Sequence, residues 1–272
     1  MTLRMDIGVA HLNALELPPE ALIPAVARAG YRATGLRINP VSAGGVCYPL
    51  PPGSDALRRV RALLRSEGVR INEVEFIQIT PDIDIHGYTH MLEAGAELGA
   101  TCLTVAGEDP DFARMTANFA ALCDLAAPFG IRVDIEFMVW RVVATVQQAT
   151  KLVSDAGRSN GGVLMDSLHL ARSDGVPADM RVTPASMVHA AQICDGPAAS
   201  PPNVDAIIAE ARENRLPPGE GELPLVDFLR ALPPGTAISA EVPMLGLDAP
   251  TRLRRAYEAT VKVLEESGVG VG

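Results

Sequence analysis

Residues 131–169 read IRVDIEFMVWRVVATVQQATKLVSDAGRSNGGVLMDSLH and contain one strand–helix–strand unit. Strands are predicted at Arg132–Glu136 and Gly162–Asp166, because each is a short apolar run that ends in a carboxylate. The segment Thr145–Ala156 between them has the apolar spacing of an amphipathic helix, and Gly157 stands where a left-handed residue ends a helix. Because a helix separates the two strands, the unit predicts a parallel pair in an α/β protein.

The same alternation continues along the rest of the chain. Further strands are predicted at Met5–Val9, Thr34–Ile38, Arg70–Ile77, Cys102–Val105, Val188–Cys194 and Ala237–Val242. Further helices are predicted at Pro19–Ala29, Asp55–Glu67, Tyr88–Leu98, Asp111–Phe129, Leu225–Ala231 and Thr251–Glu266. Eight strands alternating with helices over about 250 residues are typical of one parallel (β/α)8 TIM barrel. An open doubly wound sheet also alternates, but no glycine fingerprint follows the first strand, so we expect a single barrel domain over residues 1–272.

Two stretches rich in proline and glycine, Asn39–Gly53 and Gly196–Gly221, follow the predicted second and seventh strands. This composition favours turns and irregular backbone, so we expect each stretch to be a long loop. In a barrel, the loops that follow the strands lie on the catalytic face. We therefore expect both loops to border the functional site.

Composition and charge narrow the functional classes. Hydrophobic residues make up 48% of the 272 residues and aromatic residues only 4%, which suits parallel strands covered by Ala-rich helices. The net charge of −10 and the lack of a long Lys/Arg run argue against a nucleic-acid partner. The four cysteines form no CxxC pair, and no apolar run has the length of a signal peptide or membrane span. We expect a cytoplasmic protein with no membrane partner.

Polar side chains end the apolar runs of four consecutive predicted strands, the fifth to the eighth. They are Glu136, Asp166, Gln192 and Glu241. Parallel strands end at the same rim of a barrel, so these side chains can converge. A single carboxylate there more often caps the next helix, but three buried carboxylates together would repel one another without a cation. Oxygen ligands favour Mg²⁺ or Mn²⁺, with Co²⁺ or Zn²⁺ as alternatives, so the pattern predicts one divalent-metal site.

Five segments in the second half of the chain carry a family resemblance. They are IEFMVW (135–140), MDSLHLAR (165–172), HAAQICDGP (189–197), RLPPGEGELPL (215–225) and AEVPM (240–244). In this order they resemble the xylose-isomerase-like TIM-barrel superfamily of sugar isomerases, epimerases and related lyases. The resemblance implies that the four strand-end residues hold one divalent metal, and that Glu136 and Glu241 shuttle a proton as an acid/base pair. His169 and Arg215 resemble the family residues that bind substrate oxygens.

Gln192 departs from the pattern of many sugar epimerases in this superfamily, which have histidine at that place. Glutamine resembles the hydroxypyruvate-isomerase, inosose-dehydratase and metal-dependent dehydroshikimate-dehydratase branches. The leading hypothesis is an isomerase or epimerase that forms an enediolate from a sugar or hydroxy-keto acid. The alternative is a dehydratase of a keto-cyclitol or dehydroshikimate-like substrate. Product mass separates them, because dehydration removes one water.

Two further residues are expected on the same rim. Trp140 follows the fifth strand and could form a wall of the substrate pocket, although a core position is an equal alternative. His11 follows the first strand and could contact substrate or serve an ordinary loop role. Arg37 and Glu75 fall at inward positions of the second and third strands. They could touch substrate, but we expect them to form an ion pair inside the barrel.

The implied partner is a small polar molecule, either sugar-like or a hydroxy-keto acid. An endonuclease-IV-like DNA repair enzyme would share the barrel, but it needs several zinc ions and many histidines, and this chain has five. A sensory barrel without turnover is the non-enzymatic alternative, and the intact glutamate pair argues against it. Barrels of this kind often associate, so a homo-oligomer is an option, although no segment marks an interface.

Overall fold

The computed structural model describes residues 6–42 and 44–269 of the chain. Within them, eight parallel strands form a closed barrel in which each strand pairs with the next and the eighth pairs with the first. The strands are β1 Ile7–Val9, β2 Ala33–Arg37, β3 Arg70–Ile79, β4 Cys102–Gly107, β5 Arg132–Glu136, β6 Gly161–Asp166, β7 Ala190–Ile193 and β8 Ala237–Ala240. The predicted (β/α)8 barrel is confirmed. Met5, the first residue of the predicted first strand, lies outside the described residues.

Helices surround this barrel in the described part of the chain. They are α1 Pro19–Ala29, α2 Asp55–Glu67, α3 Thr89–Leu98, α4 Phe112–Ala126, α5 Val146–Ala156, α6 Ser167–Arg172, α7 Val204–Glu213, α8 Leu225–Ala231 and α9 Ala249–Ser267. Short 3-10 turns lie at His11–Ala14, Ile85–Tyr88, Ala127–Phe129, Pro177–Val182 and Ala185–Met187. Among the helices of residues 6–42 and 44–269, none has the length and apolar character needed to span a membrane.

Helix α5 shows how local sequence sets the central strand–helix–strand unit. The Thr145 side chain accepts a hydrogen bond from the backbone N–H of Gln148, and the Gln148 side chain accepts one from the backbone N–H of Thr145. This capping box satisfies N–H groups that otherwise begin a helix without partners. Gly157 ends the helix with a φ of 62°, in the left-handed region that favours glycine. The chain can then turn back to the barrel and enter β6.

The stretch Gly196–Gly221 contains a helix, so the prediction of one long loop was wrong. Helix α7 begins where the Asn203 side chain accepts a backbone hydrogen bond. Only Ile207 and Ala211 of this helix are buried. Its flanks are rich in proline and glycine, which favour turns, and they led the sequence interpretation to include the helix in a loop. The described residues of Asn39–Gly53 contain neither helix nor strand, as predicted.

The barrel has an apolar outside and a polar inside. A large cluster of buried aliphatic side chains joins the strands to the surrounding helices. Asn72 Nδ2 in β3 donates to Ser239 Oγ in β8 over 3.1 Å, and this bond crosses the interior because β3 and β8 are not neighbours. Thr104 Oγ1 donates to Glu73 Oε2 over 2.8 Å. Polar groups therefore continue along the inside of the barrel to the rim where the candidate site lies.

Candidate metal and substrate site

The four predicted ligands lie at the C-terminal ends of neighbouring strands and are all buried. Glu136 and Asp166 are the last residues of β5 and β6. Gln192 in β7 stands beside Asp166 in the sheet register, and Glu241 directly follows β8. Three of the four, all except Asp166, line one cavity of about 460 Å³ at this end of the barrel. The side chains expected to converge do so, and their role as metal ligands stays a prediction.

Arg215 holds two of these carboxylates together. Its Nη1 atom lies 2.7 Å from Asp166 Oδ2, and its Nη2 atom lies 2.7 Å from Glu241 Oε2. Its Nε atom donates to the backbone oxygen of Ala211 over 2.8 Å, which fixes the plane of the guanidinium group. The side chain is only 2% exposed, yet Arg215 still lines the cavity. Arg215, which we predicted to bind substrate oxygens, is thus bonded to two of the predicted metal ligands.

Asp166 caps a helix and also contacts a residue of the site. Its Oδ1 atom accepts the backbone N–H groups of Leu168 and His169, each over 2.8 Å, and so caps α6. Its Oδ2 atom faces Arg215. Because the cap fixes the first turn of α6, it also fixes His169, whose Nε2 atom lies 3.5 Å from Glu136 Oε1. The ordinary structural role of a strand-end carboxylate and a role in the site are compatible here.

Burial and Arg215 move the pKa values of two carboxyl groups in opposite directions. Burial raises the pKa of Glu241 well above its ordinary range, and the Arg215 charge offsets this only in part. Burial would also raise the pKa of Asp166, but Arg215 and His169 together lower it below its ordinary value. The pKa of Arg215 is raised well above its ordinary value, because the two carboxylates outweigh the effect of burial. Two carboxyl groups that contact the same guanidinium group therefore have pKa values shifted in opposite directions.

Glu73 and Thr104 are cavity residues that the sequence interpretation missed. Burial, followed by the neighbouring Glu75 charge, raises the pKa of Glu73 to about 8. Its Oε1 atom also lies 3.5 Å from Gln192 Nε2. The signal was present in the segment RINEVEF, where Glu73 stands two residues before Glu75 and interrupts an apolar strand. The pair Arg37–Glu75 was expected, and its 2.6 Å ion pair confirms that expectation.

His11 does not contact the cavity, so the expected substrate contact of His11 is corrected to a structural role. Its Nδ1 atom accepts the backbone N–H of Arg37, and its Nε2 atom donates to the backbone oxygen of Leu17, each over 3.0 Å. Both ring nitrogens are therefore used within the fold. Trp140 does line the cavity, and its ring meets the His169 ring edge to face at a centroid distance of 5.2 Å.

The donor set suits a divalent cation. Glu136, Asp166 and His169 are buried, and each offers one possible ligand atom. These three atoms lie within 4.8 Å of one another. Gln192 Oε1 is buried and has no hydrogen-bond partner among residues 6–42 and 44–269. A buried amide oxygen without a partner is unfavourable, and a cation beside the three carboxylates would satisfy it. The residues present therefore fit a metal held by Glu136 and Asp166, with the Gln192 amide oxygen available to join them. Glu241 is bonded to Arg215 and lies outside this close group, so its role as a fourth ligand stays a prediction.

A closed parallel barrel with a carboxylate-rich cavity at its C-terminal rim has the layout of a TIM barrel, in which functional sites lie at that rim. The family model described as xylose isomerase-like TIM barrel matches residues 23–266, and the chain belongs to that family. Members of this superfamily are enzymes that include isomerases, epimerases and dehydratases. The resemblance found in the sequence is therefore confirmed.

Three similar proteins illustrate the range of this family. A 3-dehydroshikimate dehydratase of Pseudomonas aeruginosa is 32% identical over 143 residues, which cover 51% of this chain and 22% of that protein. The chain thus matches about a fifth of the length of that curated relative. A xylose isomerase-like TIM barrel/4-hydroxyphenylpyruvate dioxygenase fusion protein has a TM-score of 0.80 at 20% identity, covering 99% of this chain and 45% of that one. The structure of the IolI protein with a bound zinc atom has a TM-score of 0.78 at 18% identity. The match covers 97% of this chain and 99% of that one. These two structures share the fold.

Proposed function

We propose that this chain is a divalent-metal-dependent dehydratase of a hydroxy-keto acid of the dehydroshikimate type. The carrying observation is that Glu136, Gln192 and Glu241 line one cavity and Asp166 stands beside Gln192 in the sheet. The Gln192 amide oxygen is buried and unpartnered among the described residues. Glutamine at this position resembles the hydroxypyruvate-isomerase branch as well as the two dehydratase branches. The curated relative with 32% identity is named a 3-dehydroshikimate dehydratase. Together they move our preference from isomerisation, which the sequence alone favours, to dehydration.

The proposed metal is Mn²⁺ or Mg²⁺, because three carboxylates and one amide supply only oxygen ligands. Zinc is the alternative to test, since the similar IolI structure holds a zinc atom. When bound, a divalent ion supplies a positive charge that polarises the substrate carbonyl and acidifies the neighbouring C–H group. The residues that would hold it are Glu136, Asp166, Gln192 and Glu241.

The side chains that would move protons are Glu136 and Glu241. Both line the cavity, one from the end of β5 and the other after β8, so they approach a bound molecule from different strands. In the proposed reaction, one carboxylate takes the proton from the carbon beside the carbonyl. The hydroxyl group on the next carbon then leaves with a proton as water, and a carbon–carbon double bond forms. The substrate therefore loses one hydrogen and one hydroxyl group, and no oxidant is needed.

The neighbouring residues orient this pair. Arg215 lies 2.7 Å from Glu241 and also supplies positive charge near the ligands. His169, packed against Trp140, lies 3.5 Å from Glu136. Because all these side chains are nearly or wholly buried apart from Trp140, their positions are held by the fold, and a closed-in substrate would displace water from the cavity.

Isomerisation or epimerisation of a sugar or hydroxy-keto acid is the second candidate function. The specific observation in its favour is the same glutamate pair on two separate strands, because return of the proton to a neighbouring carbon or to the opposite face needs no leaving group. The two candidates share the removal of the first proton. They differ in the second step. In dehydration the hydroxyl group leaves with a proton as water, whereas in isomerisation or epimerisation a proton returns to carbon.

Product mass tests the proposal directly. Metal-free protein is reloaded with Mn²⁺ or Mg²⁺ and incubated with 3-dehydroshikimate and, separately, with a panel of ketoses. We expect the mass of 3-dehydroshikimate to fall by one water, with no reaction for Glu136→Gln. Turnover of a ketose at constant mass would replace dehydration by the second candidate. No turnover of any substrate by the metal-loaded protein would contradict both.

A further inference from the structure

Two further arginines line the cavity, and neither is bonded to a predicted metal ligand within the described residues. Arg141 directly follows Trp140 in the loop after β5, and Arg212 lies in the last turn of α7. Both line the same cavity as Glu136. They come from different parts of the chain and meet only in the folded barrel, so neither sequence position alone marks them.

Arg141 is held in place but keeps a free donor. Its side chain is only 12% exposed and forms an ion pair with Glu108 at the end of β4. Its Nε atom is buried and has no hydrogen-bond partner among the described residues. A buried N–H group without an acceptor is costly, and a ligand oxygen in the cavity would satisfy it.

Arg212 offers a second positive charge at the same place. It is exposed, and it takes part in none of the ion pairs found within residues 6–42 and 44–269. Its position also stabilises the C-terminal end of α7 through the helix dipole, but that role does not require it to border the cavity. It is close enough to Arg141 for the two charges to repel each other. An anion between the two guanidinium groups would remove this repulsion.

The other cations of the cavity are already engaged. Arg37 is bonded to Glu75, and Arg215 is bonded to Asp166 and Glu241. Arg141 and Arg212 therefore supply the arginine donors that remain available to a negatively charged group of a substrate. Guanidinium groups bind carboxylates through paired N–H donors, which gives both affinity and orientation.

We propose that Arg141 and Arg212 bind the carboxylate of the substrate and make this site selective for acids over neutral sugars. The identity of the reaction rests on the proposed function, whereas carboxylate selectivity is a property of binding alone. With the carboxylate bound by these arginines, the keto and hydroxyl groups of a small hydroxy-keto acid point inwards to Glu136 and Glu241.

Two ligands of equal shape test the proposal without turnover. The probes are 3,4-dihydroxybenzoate and 3,4-dihydroxybenzamide, which differ in the charge of one substituent. Isothermal titration calorimetry of the Mn²⁺-loaded protein should find the benzoate about tenfold tighter or more, as expected for a charge-assisted contact. In Arg212→Gln this preference should largely disappear, while the amide binds as before. The control is Arg254→Gln, an exposed arginine of α9 outside the cavity, and it should keep the full preference.

Arg141→Gln adds a second arm, because a buried arginine can also affect folding. Its unfolding midpoint and metal content are measured alongside binding, and loss of the benzoate preference with both unchanged supports the proposal. Equal affinity of the wild type for both probes, or an unchanged preference in Arg212→Gln, would overturn it. If the preference is found but 3-dehydroshikimate does not lose water, the proposed reaction fails while the carboxylate site stands.

Discussion

Replacement of Arg215 by leucine should destabilise the metal-free protein far more than the metal-loaded protein. In the structure the guanidinium group is 2% exposed and lies 2.7 Å from each of two buried carboxyl groups, those of Asp166 and Glu241. Leucine keeps much of the apolar volume but removes the charge. Asp166 and Glu241 would then lose the cation that each of them contacts in this buried site.

The size of the effect can be worked out from these contacts. Removal of one partner from a buried ion pair costs about 3–5 kcal/mol, and we expect a loss in this range without metal. A divalent ion among the same carboxylates would replace the missing positive charge. The remaining loss is chiefly that of the hydrogen bond to Ala211, so the destabilisation with saturating Mn²⁺ should shrink to about 1–2 kcal/mol.

Urea unfolding followed by far-UV circular dichroism measures both free energies. The matched control is Arg172→Leu, because Arg172 is equally buried and bonded to Glu210 over 2.6 Å, yet does not line the cavity. Its loss should be the same with and without Mn²⁺. The reasoning is refuted if Arg215→Leu also loses the same free energy in both conditions, since Arg215 would then have no link to the metal site.

Three further outcomes test the site and the fold. Glu136→Gln and Glu241→Gln should each lower kcat by about 10²–10⁴-fold with circular dichroism unchanged, and wild-type rates in either would exclude the proton pair. Chelation should abolish turnover, Mn²⁺ should restore it, and elemental analysis should find about one ion per chain. Tyr31→Phe should raise the unfolding free energy by about 1 kcal/mol at neutral pH, because the buried hydroxyl has no partner in the described chain. Burial also raises the pKa of Tyr31, so the wild type should lose stability above pH ~10 and the variant less, as alkaline unfolding would report.

The sequence predicted the barrel well because each strand–helix unit carries its own local signals. The predicted helix Thr145–Ala156 is found as α5, Val146–Ala156, and Gly157 ends it as the pattern predicted. Strand-end carboxylates were equally visible, since an acid that ends an apolar run is rare enough to notice. Helix α7 was missed because it lies within a stretch rich in proline and glycine, whose composition favours turns.

The contacts within the site could not be predicted, because they join residues far apart in the chain. Arg215 and Asp166 are 49 positions apart, and only barrel closure brings them to 2.7 Å. His11 was correctly placed near the rim, but the direction of its ring depends on backbone groups of Leu17 and Arg37. Glu73 needed the register of β3, which a bulge shifts near this residue. Spacing along one chain does not contain this information.

Asp166 and Gln192 differ in how firmly each is tied to the rest of the molecule. One oxygen of Asp166 caps α6 and the other bonds Arg215, so any exchange there loosens a helix and a buried ion pair at once. Gln192 Oε1 bonds nothing in residues 6–42 and 44–269. Exchange of Gln192 should therefore disturb fewer contacts among the described residues than exchange of Asp166. The same rim thus combines one side chain on which the surrounding structure depends with one that can be replaced at little structural cost.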